Sequence, residues 1–425
     1  MVQQSGDVSG LVEHLFREEA GKMVATLARI FGVEHLTLAE DVVQEALARA
    51  LQTWPFYGVP RNPSAWIMRA ARNLALDVVR RRKLFQNKRA EIIRLMDAGE
   101  AQPDEAIFSD AEIVDDRLRL MFVCCHPAIP LDARVALTLK TLCGFGLTEI
   151  SRAFLTTEAA IAKRLTRAKQ KIREARIPFE IPAGAELGER LDAVLKSIYL
   201  LFNEGYKAST GENLVRKELM AEAIRLGELL AQHAAGDQPR THALLALMLL
   251  NAARTATRLD SEGHLLRLKE QDRAQWDREM IARGMSHFAR SGVGEEVTPY
   301  HLEAAIAACH CTAADYEATD WRRILSLYDQ LMSIDPSPVV ALNRAVAVAN
   351  VHGPEAGWRA VHAIDKKLES YYLLHAVKGE LALRLNRADA AAEHFRRAFA
   401  LAETKSERAF LSERLQACGM AGDAE

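Results

Sequence analysis

The sequence predicts an all-α protein, and three observations carry that expectation. Glycine and proline number only 23 and 13 among 425 residues, below the usual shares of about 7 % and 5 %. Aromatic residues make up 6 % of the chain, while the stronger helix formers Ala, Leu, Arg and Glu are abundant. Apolar positions recur at the three-and-four spacing of a helix face instead of alternating as in a half-buried strand. With 49 % hydrophobic and 26 % charged residues the chain can fill folded cores, which excludes global disorder. Its length suits about three domains.

Several classes fall away early. Six cysteines in so long a chain are too few for a disulfide scaffold, and Cys124-Cys125 and Cys309-x-Cys311 lack zinc-ribbon spacing. The opening MVQQSGDVSG has no basic-then-apolar signal layout. The longest strongly apolar run, Thr241 to Ala253, is shorter than the roughly 20 residues a bilayer requires. The expectation is a reduced, cytoplasmic protein without membrane contact, cofactor or metal.

The net charge of −2 conceals two cationic blocks. Between Arg61 and Ala90 stand nine basic residues and one acid, Asp77; between Ile161 and Arg176 stand seven against Glu174. The remainder of the chain therefore carries −16. Two compact basic blocks in an acidic chain point to two polyanion contacts, or to two solvated helix faces.

The first block lies in a helical hairpin. Ala39, Val42, Val43, Ala46, Leu47 and Ala50 form one apolar stripe, and Glu40, Asp41, Gln44 and Glu45 occupy the other face. A break is expected over Thr53 to Pro63. A second helix then opens with Ser64 as N-cap and buries Ile67, Ala70, Ala71, Leu74, Ala75 and Val78. Its outer face offers Arg69, Arg72, Asn73, Arg80 and Lys83. One helix is acidic and the next basic, so each face suits a different partner. In the break, Phe56 and Tyr57 stand between Pro55 and Gly58, hard to bury and suited to stacking on a base beside Arg61. Trp54 and Trp66 are better placed to staple the hairpin core.

Residues 91–115 read as a polar, acidic linker with at most a short helix. Beyond it, Leu131 to Leu142 is expected as a helix, Thr148 as the cap of the next, and Ala159 to Arg173 as a long one with Ile161, Leu165, Ala168 and Ile172 inward. Two helices joined by a tight turn, the second basic, have the layout of a helix-turn-helix. Thr157, Glu158, Ala160 and Lys163 would reach base edges, with Arg164 and Arg167 nearer phosphates. No acid lies between Lys163 and Arg173, so pairing along the helix does not account for the charge.

Proline and glycine between Pro178 and Gly184 mark a boundary. The rest is helical, and over about 320–402 Gly379, Ala391, Phe395 and Ala398 fit a tetratricopeptide-like unit, with Val361 and Tyr328 one and two periods upstream. Such a solenoid presents a surface to peptides or domains and does no chemistry itself. An enzyme reading would rest on Cys124-Cys125-His126 or on His301, Cys309, His310 and Cys311. Consecutive Cys-His-Cys cannot share one helix face, and no phosphate loop or nucleophile elbow is present. Helix-core cysteines and surface histidines account for them, and Phe202–Tyr206 reads as a helix end with buried aromatics. No catalytic residue is expected. A helix-turn-helix regulator with a peptide- or ligand-binding solenoid is the alternative to the reading that follows, but it leaves the acidic 39–50 face without a purpose.

Ala39-Glu40-Asp41-Val42-Val43-Gln44-Glu45, Trp66, Ala71-Arg72-Asn73-Leu74-Ala75-Leu76-Asp77 and Arg80-Arg81-Arg82-Lys83 resemble region two of an extracytoplasmic-function sigma factor. Leu147-Thr148-Glu149-Ile150 through Lys163-Arg164-Leu165-Thr166-Arg167-Ala168-Lys169 is similar to its region four. Asp116-Arg117-Leu118-Arg119-Leu120, Cys124-Cys125-His126-Pro127 and Phe202-Asn203-Glu204-Gly205-Tyr206 resemble the subgroup with a long tetratricopeptide-like extension. The resemblance implies region two over 11–90, region four over 116–177 and the extension over 185–425. It implies that Glu40, Asp41, Gln44 and Glu45 dock the β′ clamp helices of core RNA polymerase, with the β flap as a further polymerase contact. Phe56, Tyr57, Arg61, Arg69, Arg72, Asn73, Arg80 and Arg81 would bind the −10 element, and Thr157, Glu158, Ala160, Lys163, Arg164 and Arg167 the −35 element. The extension would regulate activity or bind a protein partner. Ala162 followed by Lys163-Arg164 departs from the lysine, serine, arginine order of many members, so no promoter sequence carries over.

Overall fold

The structure, a computed structural model, describes residues 20–81, 110–154, 156–206, 217–260, 264–402 and 404–422. Among these residues it consists of α-helices, short 3₁₀ turns and one isolated bridge between Leu259 and Leu265. The chain forms two compact units, 1–200 and 201–425. Arg82, Lys83, Lys88 and Arg89 of the first basic block and 91–109 of the expected linker lie outside the described residues, as does the side chain of Arg81.

In the first unit α1 covers 20–31, α2 Leu36–Tyr57 and α3 Pro63–Arg81. The α2 stripe predicted from its period is buried throughout. The helix runs beyond the break expected at Thr53 because buried Trp54 anchors its last turn, which outweighs the backbone hydrogen bond that Pro55 cannot make. It stops at Gly58, whose φ of 83° is open to glycine at little cost. Asn62, and not Ser64, caps α3: its Oδ1 accepts from the Ala65 amide at 3.0 Å.

The next helix, α4, spans Asp110–Cys124, so 110–115 of the expected linker is helical. It is followed by α5 (Leu131–Thr141), α6 (Leu147–Ala153) and α7 (Glu158–Glu174). Glu149 takes the capping role expected of Thr148, its Oε2 accepting from the Gly146 amide at 2.7 Å. Thr157 caps α7 through the Ala160 amide at 3.2 Å. The four inward positions of α7 are all buried. Helix α1 meets the end of α5 backbone to backbone, since a Cβ on Gly21 would lie 2.2 Å from the Leu142 carbonyl oxygen.

Helix α8 runs Ala185–Tyr206. Within the first unit, its Arg190 donates to the Phe122 carbonyl at 3.2 Å. That contact carries the first unit past the Pro/Gly boundary at 178–184.

In the second unit α9 is Lys217–Ala231, α10 Pro239–Ala252, α11 Arg278–Ser291 and α12 Pro299–Thr312. The apolar run at 241–253 becomes the central helix α10, buried from Thr241 to Leu250. No described helix is long and apolar enough to cross a membrane. Then α13 (Trp321–Ile334), α14 (Pro338–His352), α15 (Pro354–His362), α16 (Tyr372–Arg384), α17 (Ala388–Leu401) and α18 (Lys405–Gly422) follow. Each packs chiefly on its chain neighbours, the organisation of a helical solenoid. Phe395 is fully buried against Gly379, where a Cβ would come within 2.6 Å of the ring. The stack continues through α18, beyond the end expected near 402.

Candidate nucleic-acid interface

The acidic face of α2 is not uniform. Asp41, Gln44 and Glu45 are exposed, and Glu45 pairs with Arg49 one turn on at 3.2 Å. Glu40, expected beside them in solvent, is buried at 6 % exposure. Its Oε1 accepts from the Thr141 hydroxyl at 2.9 Å and its Oε2 from Lys169 Nζ at 2.6 Å. The side chains of Lys169 and Glu40 are 17 % and 7 % exposed. Removing one partner of so enclosed a pair costs about 3–5 kcal/mol, because the other charge is left desolvated. The positions gave a faint warning: Glu40 follows Ala39 at the edge of the α2 stripe, and Lys169 follows Ala168 at the edge of the α7 stripe.

A second ionic contact joins the same helical groups. Arg29 of α1 meets Asp116 of α4 at 2.8 Å, and Arg119 reaches the other carboxylate oxygen at 2.9 Å. Burial raises the Asp116 pKa above the ordinary carboxylate value against the pull of both arginines.

At the far end of α2, Phe56 and Tyr57 are 83 % and 87 % exposed, so both rings are free to meet a ligand. Trp54 lies buried behind them, edge-on to Trp66 with ring centroids 5.5 Å apart. The tryptophans thus staple the hairpin, and the neighbouring rings face out. Arg61, Arg69, Asn73 and Arg80 are exposed on the same hairpin, and Arg72 is half-buried. This is a cationic surface edged by two open aromatic rings, suited to phosphate neutralisation with base stacking.

On α7, Thr157, Glu158, Lys163 and Arg167 are exposed, and Ala160 is half-buried. Two features depart from expectation. Glu158 accepts a hydrogen bond from the Thr148 hydroxyl at 2.6 Å, which ties α7 to α6 and engages an oxygen otherwise open to a base. Arg164 lies 3.5 Å from Asp132 of α5, so acids on other helices partly balance the basic face, as Glu40 does for Lys169. The counter-charges of α7 sit on neighbouring helices, out of reach of pairing along α7 itself.

The cysteine and histidine groups have packing roles. Cys124, Cys125 and Cys311 are buried thiols, and burial raises the pKa of each. The histidines are not surface residues as expected. His301 completes a capping box with Thr298 on α12. His310 stands edge-on to Trp321 at 5.4 Å, its pKa pushed down to about 3 by burial and by Arg254 and Arg273. Phe202 and Tyr206 stack at 5.8 Å where α8 ends, with the Arg258 guanidinium 4.0 Å over the Tyr206 ring.

Comparison with known proteins agrees with this architecture. Sigma-70 region 2 matches residues 15–85 and Sigma-70 region 4 matches 119–172. A family of unknown function (DUF6596) matches 190–292. An uncharacterized protein of Rhizobium meliloti (strain 1021) is 41 % identical over 389 residues, covering 91 % of each chain. No solved structure matches. A region 2 hairpin, a region 4 helix-turn-helix and a further helical domain in that order place this chain among the extracytoplasmic-function sigma factors of the sigma-70 class, in a form with a C-terminal extension.

Proposed function

We propose that this sigma factor binds core RNA polymerase through Asp41, Gln44 and Glu45 of α2, with Glu40, paired to Lys169, bordering that face. The β′ clamp helices are the surface contacted, with the β flap as a second polymerase contact. Phe56, Tyr57, Arg61, Arg69, Arg72, Asn73, Arg80 and Arg81 engage and open the −10 element. Thr157, Ala160, Lys163, Arg164 and Arg167 read the −35 element, with Glu158 shaping the turn and bordering the groove. The C-terminal extension regulates this activity or binds a protein partner, and the chain acts in the cytoplasm on the nucleoid.

The observation that supports this most directly is the division of labour along α2. Exposed acids occupy its first half, and two open aromatic rings stand at its end beside exposed arginines of α3. A DNA-binding regulator would need the second feature and not the first. Transcription in vitro, with purified core polymerase and a library of promoter fragments, tests the proposal. Initiation restricted to a subset of fragments is expected. A chain that never associates with core polymerase would overturn it and leave only a DNA-binding protein.

A further inference from the structure

Several arginines of the second unit are matched to carboxylates: Arg225 to Glu222 at 2.6 Å, Arg267 to Glu380 at 2.8 Å and Arg290 to Asp237 at 2.9 Å. Arg254, Arg258 and Arg273 differ. Among the described residues none of the three forms an ion pair, and the acceptors they use are neutral. Arg254, just past α10, donates to the Tyr206 hydroxyl at 3.1 Å, and Arg258 donates to the Tyr206 carbonyl. Arg273 donates to the His310 and Ala313 carbonyls at 2.8 and 2.9 Å and to the Thr319 hydroxyl at 2.9 Å. The Arg254 and Arg273 guanidinium groups stand 5.6 and 5.1 Å from the centre of the same buried ring, Trp276. Burial and the nearness of Arg254 lower the Arg273 pKa, against a weaker pull from Asp315 and Glu317. Contact with aromatic rings offsets part of the cost of desolvating such cations, but no ring supplies a full negative charge. Polar atoms are also left over: Arg254 Nε and His310 Nδ1 are buried without a hydrogen-bond partner. The Tyr206 hydroxyl accepts from Arg254 and donates to no other described residue. Burial raises its pKa, yet Arg254 and Arg258 hold it below the ordinary tyrosine value.

We propose that Arg254 and Arg258, with the Tyr206 hydroxyl, bind a phosphate group, borne by a small molecule or free as inorganic phosphate, and that Arg273 adds positive potential to the site. Cations and donors in excess of acceptors are what a missing anion would balance. Guanidinium forks match phosphoryl oxygens, and charge-assisted hydrogen bonds of this kind are among the stronger ones. A phosphate dianion answers more of the three positive charges than a single carboxylate, whose two oxygens lie in one plane. Arg254, Arg258 and Tyr206 are half-buried, so the site is recessed and admits a compact ligand more readily than a nucleic-acid backbone. The Phe202–Tyr206 segment that ends α8 thereby gains a ligand-binding member. The site lies in the second unit and is independent of the polymerase and DNA surfaces proposed above.

Thermal unfolding of the full chain, with phosphorus NMR of the added ligand, tests this. At matched ionic strength, inorganic phosphate and phenyl phosphate are expected to raise the melting temperature above its value in chloride, as binding to the folded state requires, and to show a broadened phosphorus signal. Arg254→Gln and Arg258→Gln should each weaken the affinity about tenfold or more, the loss of a hydrogen bond to a charged group. Arg254→Lys, which keeps the charge and gives up the fork, should fall between wild type and Arg254→Gln. Melting in chloride alone shows whether each variant is folded. Tighter binding of phenyl phosphate than of inorganic phosphate supports a phosphorylated small molecule as the natural ligand, and the reverse supports free phosphate. A wild-type protein stabilised no more by phosphate than by chloride overturns the site whatever the variants do. Equal phosphate effects in wild type and in folded Arg254→Gln and Arg258→Gln place the anion elsewhere and overturn it too. Stabilisation by succinate and not by phosphate overturns the choice of anion. None of these readouts involves polymerase or promoter, so failure here leaves the sigma-factor reading intact.

Discussion

Helices α3 and α7 are both amphipathic and strongly basic, yet their charges meet different surroundings. On α3, Arg69 and Arg80 face solvent. On α7, Lys169 is bonded to Glu40, Arg164 lies by Asp132, and Glu158 is tied to Thr148. Two basic helices therefore differ in what they hold ready for a ligand. Exposed ion pairs contribute at most about 1 kcal/mol, so the Arg164–Asp132 contact gives little resistance to a competing anion. The enclosed Glu40–Lys169 pair is not so easily dismantled. A basic stripe shows where an anion could bind; the packing around it shows which charges are already in use.

The contrast can be broken most forcefully on the unoccupied surface of α2. Asp41→Lys with Glu45→Lys should weaken binding to core polymerase more than tenfold, or by more than about 1.4 kcal/mol, with helicity by circular dichroism unchanged. Co-purification of polymerase at the wild-type level would remove this face from the docking site. Next in size, Phe56→Ala and Tyr57→Ala should each cost about 1–3 kcal/mol of base stacking, read as slower open-complex formation. Thermal stability should hold, because the rings are 83 % and 87 % exposed.

Smaller effects are expected on the two basic faces. Arg69→Ala with Arg80→Ala, and separately Lys163→Ala with Arg167→Ala, should each flatten the salt dependence of promoter binding by about 0.7–0.9 for every phosphate no longer neutralised. Arg164→Ala should change that slope less than Arg167→Ala; equal changes would mean that Asp132 does not compete with DNA. Thr148→Val should lower the stability of the helix-turn-helix by about 1 kcal/mol, measured by hydrogen exchange of the α6 and α7 amides.

The mildest test lies in the C-terminal unit and serves as a control. His287 stacks on His242, and burial with nearby His242, Arg290 and Arg283 pushes its pKa down to about 4. Its pKa is thus lower in the folded protein than in the unfolded chain, where imidazole titrates near 6.5. As pH falls from about 6.5 toward 4, the unfolded chain takes up a proton that the folded one refuses, so stability present at neutral pH is lost. His287→Gln should flatten the fall in melting temperature over that window, leaving DNA binding at neutral pH unchanged.

Much of this was legible in the sequence because local pattern reports local geometry. The buried stripes of α2 and α7 follow from a period of 3.6 residues, and the exposure of Phe56 and Tyr57 fits their flanking proline and glycine. Caps were less legible. Asn62 displaced Ser64, and Glu149 displaced Thr148, since several side chains near a helix start can supply the acceptor and the backbone path selects among them. The end of α2 was missed because burial of Trp54 outweighed the proline beside it.

By itself the sequence determined the helical class, the order of its units and the sign of charge on each face, because these depend on residues a few positions apart. Only the tertiary structure decided that Glu40 leaves its acidic neighbours to meet a lysine 129 positions away. Periodicity places a side chain on a face, but whether water or another helix covers that face depends on how distant segments pack.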